Sequence, residues 1–146
     1  MSPISVVALF CEDIRDEVGG TISLIGIFSD NAELPPLVEG TAVMISKLSV
    51  YIRINFDADR DLPAPIKYHV IMPDGVRIPA GEINKETIDS ARSTKRLGNP
   101  IAGLFGRFQM NSLVFAKPGR IVVEVDIDSE TYLAGALNFV PHASRT

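Results

Sequence analysis

Strict alternation of apolar and polar residues constrains this chain more than any other feature. Leu48, Val50, Ile52, Ile54 and Phe56 are interleaved with Ser49, Tyr51, Arg53 and Asn55. Ile121, Val123, Val125 and Ile127 alternate in the same way with Val122, Glu124, Asp126 and Asp128. A period of two places successive side chains on opposite faces of an extended strand, so each segment must bury one face and show the other to water. Ile66, Tyr68, Val70 and Met72 alternate with Lys67, His69 and Ile71, and Pro73-Asp74-Gly75 then turns the chain into Val76 to Ile83, a hairpin signature. Ala116-Lys117-Pro118-Gly119 does the same between Arg107 to Phe115 and Arg120 to Ile127. Ile4 to Phe10, Ile22 to Phe28 and Tyr132 to Val140 complete a set of about eight strands. The expected fold is all-β, a single antiparallel β-sandwich domain over residues 1–146.

The segment 84–106 interrupts this grammar. A short helix is expected over Lys85 to Arg92, followed by Gly98-Asn99-Pro100 and the apolar group Ile101, Leu104 and Phe105. The segment is read as one long inserted loop or short helix. Leu34-Pro35-Pro36-Leu37 is read as a stiff loop and not as a polyproline ligand.

With 146 residues, 46% of them hydrophobic, the chain can fill one continuous core. A formal charge of −4 argues against broad attraction to nucleic acid or anionic lipid, both of which need clustered Lys and Arg. One cysteine, Cys11, excludes an internal disulfide and fits a reducing compartment. No apolar run reaches the roughly 18 to 20 residues that span a bilayer, and the start lacks the flank and cleavage site of a secretory signal. The expected location is the cytoplasm, or the host cytoplasm or virion if the gene is viral.

Between Ile4–Phe10 and Ile22–Phe28 lies the acidic stretch Cys11-Glu12-Asp13-Ile14-Arg15-Asp16-Glu17, read as a bend. If consecutive strands reverse direction, this bend shares one end of the domain with Asp57 to Asp61, the segment 84–106 and the turn Asp128-Ser129-Glu130. The other end then receives Ser29 to Gly40, Pro73 to Gly75 and Ala116 to Gly119. Loops on a rigid scaffold carry binding residues, so the charged end is the expected functional end.

At that end Lys85, Arg92, Lys95, Arg96 and Arg107 form the one locally basic stretch. Arg92, Lys95 and Arg96 of that stretch, with Ile101, Leu104 and Phe105 and with Asp13 and Asp16, are the candidate protein-contact residues. Asp57, Asp59, Asp61, Asp128 and Glu130, with Asp126 and Glu17 nearby, are the candidate oxygen ligands for Ca²⁺, which takes six to eight. Arg60 and Arg15 lie in the same loops and offer neutralisation without metal. His69 and His142 share no metal-ligand spacing and are read as surface residues. Cys11 has no evident base and reads as a structural thiol. Gly98, Gly103 and Gly106 lack the Lys-Ser/Thr ending of a phosphate loop. No cofactor is implied.

Val7-Ala8-Leu9-Phe10-Cys11-Glu12-Asp13 with Gly20-Thr21-Ile22-Ser23-Leu24-Ile25-Gly26-Ile27-Phe28 resembles the opening of a family of small bacterial β-sandwich proteins of unknown function. Pro118-Gly119-Arg120-Ile121-Val122-Val123-Glu124-Val125 is similar to that family's closing hairpin. The resemblance implies the sandwich and an absence of catalysis, and it assigns no site residues. The expected function is a non-enzymatic interaction module that works by protein–protein contact or self-assembly. The alternatives are a structural subunit of an oligomer or phage-like particle, and a metal-dependent enzyme or Ca²⁺-binding domain using the acidic loops.

Overall fold

The computed structural model describes residues 3–35 and 42–141. Its elements are β1 (Ser5–Asp16), β2 (Ile22–Ile27), β3 (Asn31–Leu34), β4 (Val43–Asp57), β5 (Ile66–Ile71), β6 (Arg77–Ile83), α1 (Lys85–Arg92), a 3₁₀ turn (Ser93–Leu97), β7 (Ile101–Phe115), β8 (Gly119–Ile127) and β9 (Glu130–Pro141). They form a four-stranded sheet, β2-β1-β4-β7, packed on a five-stranded sheet, β3-β9-β8-β5-β6. Among the described residues no helix is long and apolar enough to cross a membrane.

The two strongest alternations face each other across the core. Leu48, Val50, Ile52, Ile54 and Phe56 of β4 are buried, as are Ile121, Val123, Val125 and Ile127 of β8. Close approach between the sheets is marked by glycine: a Cβ on Gly135 would lie 3.2 Å from Ala8 Cβ, and one on Gly106 would lie 2.9 Å from the Tyr68 ring. The Tyr68 ring, stacked on Phe108 at 5.9 Å between centroids, occupies the space that Gly106 leaves. Burial pushes the Tyr68 hydroxyl above its ordinary pKa.

The structure has nine strands where the alternation indicates about eight. The added strand, β3, is four residues long, with Ala32 and Leu34 buried between exposed Asn31 and Glu33. It pairs parallel with Asn138 to Pro141 of β9, an exception in an otherwise antiparallel sandwich. The acidic stretch Cys11 to Glu17 is not a bend. β1 continues to Asp16, with Asp13, Ile14, Arg15 and Asp16 paired to Ile25, Leu24, Ser23 and Ile22. Charged side chains are tolerated there because the ladder is backbone-made and this half of the hairpin has water at hand.

The segment 84–106 divides in two. Lys85–Arg92 is the expected helix, capped by Asn84, whose Oδ1 accepts from the Thr87 amide at 2.9 Å. Gly98, at φ 84°, ends the 3₁₀ turn. From Ile101 onwards the chain is strand, so the long loop stops earlier than expected. Leu104 points into the core, whereas Ile101 and Phe105 point outward. Residues 36–40 of the expected Ser29–Gly40 loop, with Pro36 and Leu37 of the Leu34-Pro35-Pro36-Leu37 stretch, lie outside the described residues, as does His142.

The helix is held by Ile88, which is fully buried in the main core cluster. Ile88→Ala is expected to cost about 2–5 kcal/mol, the usual penalty for emptying such a site. Urea unfolding of the two proteins checks this, with an unchanged midpoint contradicting the anchoring role.

Candidate functional site

Strand parity decides where the candidate residues meet. β1 runs antiparallel to β4, pairing Ser5 with Asn55 and Cys11 with Ser49. Asp57 therefore lies beside the start of β1, eight residues or about 26 Å from Ser49 at the usual rise per residue. Asp13 and Asp16 lie beyond the other end of that pairing. The missed strand β3 is the cause, because one additional reversal before β4 moves every later loop to the opposite end. Asp57–Asp61, the helical segment and Asp128–Glu130 do share an end. The Ala58 amide donates to the Pro100 carbonyl at 2.8 Å, and the charge of Arg60 reaches the Tyr132 hydroxyl.

This charged end neutralises itself. Lys85 pairs with Asp61 and Lys95 with Asp59. Arg92 reaches Asp61 at 3.2 Å, and its Nε donates to the Ala58 carbonyl at 3.1 Å. Lys85 holds the Asp61 carboxyl below its ordinary pKa. Glu130 accepts from the Tyr132 hydroxyl at 3.0 Å, and Asp57 also has a partner within the chain. Asp128 takes a left-handed conformation at φ 59° in the β8–β9 turn. Among the described residues no three His, Cys, Asp or Glu side chains converge as a metal ligand set, so Asp57, Asp59, Asp61, Asp128 and Glu130 are not brought together in that way. Of the basic residues assigned to contact, Arg92 and Lys95 are committed to these pairs. Arg96 remains exposed, next to exposed Leu97.

Asp13 and Asp16 belong to an arm formed by the far halves of β1 and β2. Asp13 binds Lys47 at 2.6 Å and Arg15 at 3.2 Å, and Asp16 binds Arg107 at 2.9 Å. Lys47 first and Arg15 second hold the Asp13 carboxyl below its ordinary pKa, and Arg107 does so for Asp16. Since Arg107 lies on β7, the last pair ties the arm to the sheet beneath it, over a hollow of about 300 Å³ lined by Ile14, Ser49 and Phe108 among others. Cys11 is buried where the arm departs, and its Sγ–H donates to the Ser49 carbonyl at 3.6 Å. Burial raises its thiol pKa, which is the opposite of activation.

His69 is a correction. Its position opposite Glu124 on the outward side of the second sheet suggests a surface residue, yet it is only 4% exposed. It keeps that outward parity and is covered there by the side chains of Glu124 and Arg77. Arg77 donates to Nδ1 at 3.1 Å, which makes Nδ1 an acceptor and leaves Nε2–H to donate to Glu124 at 2.9 Å. Arg77 also binds Asp126 at 2.8 Å. Both ring nitrogens are thereby occupied, and the ring is a structural tie between β5, β6 and β8.

What the sequence reading missed is that Ile101 and Phe105, two of its contact candidates, share the outer face of the four-stranded sheet with Val7, Leu9 and Tyr51. Strand register sets three rows across β1, β4 and β7: Leu9–Tyr51–Arg107, Val7–Arg53–Phe105 and Ser5–Asn55–Gly103. Val7, Leu9, Ile101 and Phe105 are exposed, Phe105 at 52%. Tyr51 and Phe105 stack at 6.1 Å between centroids. A groove of about 440 Å³ separates this floor from α1, lined by Glu86, Thr87, Ser90, Ala91, Gly103 and Phe105 with Leu104. The uninterrupted apolar run Val6 to Phe10 hid the face, because a strand apolar on both sides carries no alternation.

These features define a class: a two-sheet all-β protein with a self-neutralised charged end and an apolar, aromatic outer face on its smaller sheet. Residues 6–139 match the model of the Family of unknown function (DUF6941), and the chain belongs to that family. No curated protein matches it.

The lowered pKa of Asp61 has a definite sign. The stabilisation is present above the ordinary carboxylate pKa of about 4 and is lost as pH falls through the lower folded value. Asp61→Asn is expected to melt slightly below the parent at pH 7, with the gap closing as the pH drops below the ordinary carboxylate pKa of about 4. A gap independent of pH would contradict the ion-pair account. His69→Leu is expected to cost about 1–3 kcal/mol, since Glu124 and Arg77 lose a shared buried partner. Denaturant unfolding measures it.

Proposed function

We propose that this protein is a non-enzymatic interaction module that acts by protein–protein contact, and that the contact surface is the outer face of the four-stranded sheet. The observation that supports the reading is the exposure of Val7, Leu9 and Phe105 beside the Tyr51 ring, with Ile101 exposed further along β7 on the same face. Contiguous apolar patches of this kind on a folded monomer mark interaction sites, because water contact costs about 25 cal/mol per Å². Aromatic side chains beside Arg are the residue types that carry contact energy. The charged end supports contact less well, since Lys85, Arg92 and Lys95 already spend their charge on Asp59 and Asp61. Exposed ion pairs of that sort contribute little to affinity.

A photo-crosslinking side chain at position 105 is expected to give a discrete adduct in cells of the source organism. The same group at position 133, an exposed leucine on the other sheet, is expected to give none. Phe105→Asp should abolish association while leaving the folded spectrum unchanged, because the side chain lies outside the core. The same adduct pattern from both positions would sink the assignment of this face.

A further inference from the structure

We propose that this face receives a short segment of another protein in which one carboxylate is flanked by apolar side chains, the carboxylate binding Arg53. The inference rests on the contact reading above and adds the chemistry of the partner. Arg53 stands at the middle of the floor, between Val7 and Phe105 in its row and next to Tyr51 along β4. It is exposed, and its Nε donates to Asn55 Oδ1 at 3.2 Å, a neutral acceptor that leaves the positive charge intact. Its guanidinium lies over Gly103, where any Cβ would overlap it. The missing side chain at 103 leaves room for the guanidinium, whose planar fork can meet a carboxylate through two parallel hydrogen bonds.

The surroundings select both the charge and the length of the occupant. Arg107, in the neighbouring row, is neutralised by Asp16, so among the described residues Arg53 is the cation that the floor offers to a partner. The arm bearing Ile14 and Asp16 lies towards Arg107, and α1 lies beyond Gly103 and Phe105 with Glu86 facing the groove. Glu86 disfavours a carboxylate on the helix side and directs it to Arg53. The chain carries a net charge of −4, which repels a strongly acidic partner at long range. A single carboxylate among apolar residues fits this field better than an acidic run, because its attraction to Arg53 acts within a Debye length of about 8–10 Å. Val7, Leu9, Phe105 and the Tyr51 ring supply the apolar contact on either side.

The test uses two capped peptides, acetyl-Ala-Leu-Glu-Phe-Ala-amide and its counterpart with Lys in place of Glu, titrated into the ¹⁵N-labelled full chain. The Glu peptide is expected to shift the amides of Val7, Leu9, Arg53 and Phe105 at a concentration about tenfold lower than the Lys peptide, the worth of one charge-assisted pair. Arg53→Glu is expected to reverse that preference, and Gly103→Val to weaken the Glu peptide by displacing the guanidinium, each with the dispersed spectrum of a folded protein. Equal response to both peptides, or an unchanged preference in Arg53→Glu, overturns the acidic partner and leaves the contact face standing. No shift of these amides by either peptide at millimolar concentration also overturns it. A concentration-dependent dimer in sedimentation, lost in Phe105→Asp, overturns it in favour of a second copy of this chain as the occupant. Loss of the position-105 crosslink, by contrast, bears on the contact reading itself.

Discussion

The burial of one face of β4 is the interaction on which the rest of the structure depends. Leu48, Val50, Ile52, Ile54 and Phe56 are all essentially inaccessible to water, and β4 is hydrogen-bonded on both sides, to β1 and to β7. Because the side-chain period is two, sealing that row fixes the direction of the alternate row, which contains Ser49, Tyr51, Arg53 and Asn55. A slip by one residue would put Arg53 in the core, so the same burial that stabilises the sandwich also holds the outer face in place. The pairing of Arg53 with Val7 and Phe105 follows from this register, and no loop contributes to it.

The helical segment and the charged loops work at the opposite level, that of local neutralisation. Ile88 anchors α1 in the core, and Lys85, Arg92 and Lys95 lie across the Asp57–Asp61 loop. Abundant charge of both signs at one end reads in the sequence as potential for binding. In three dimensions the two signs meet each other, and most of that potential is satisfied within the chain. On the arm, Asp13 and Asp16 behave in the same way towards Lys47 and Arg107.

The strands that were legible in sequence are those whose two faces see different environments. β4 over Leu48 to Phe56 and β8 over Ile121 to Ile127 alternate cleanly because one row meets the core and the other meets solvent. Val43 to Ser46 belongs to the same strand but was illegible. Its buried parity changes where Ser112, at φ 55°, kinks the partner strand β7. β3 escaped notice because two buried residues in four are too few to define a period, and its parallel partner lies more than a hundred residues away. Missing it inverted the predicted end of the acidic arm relative to every later loop. His69 was misplaced because the side chains that cover it, Glu124 of β8 and Arg77 of β6, come from other strands and leave no mark on the alternation of β5.

Amino-acid order alone determined that this chain is a two-sheet β protein with a capped helix after β6, since alternation, turn residues and the Asn84 cap act over a few neighbouring positions. It also carried the family, through the spacing of β1, β2 and the β7–β8 turn. Which charges are spent and which surface is left over was decided only by tertiary structure. Pairing Lys85 with Asp61, Asp16 with Arg107 and Arg53 with Gly103 depends on strand register between segments tens of residues apart, and register is set by the whole buried core.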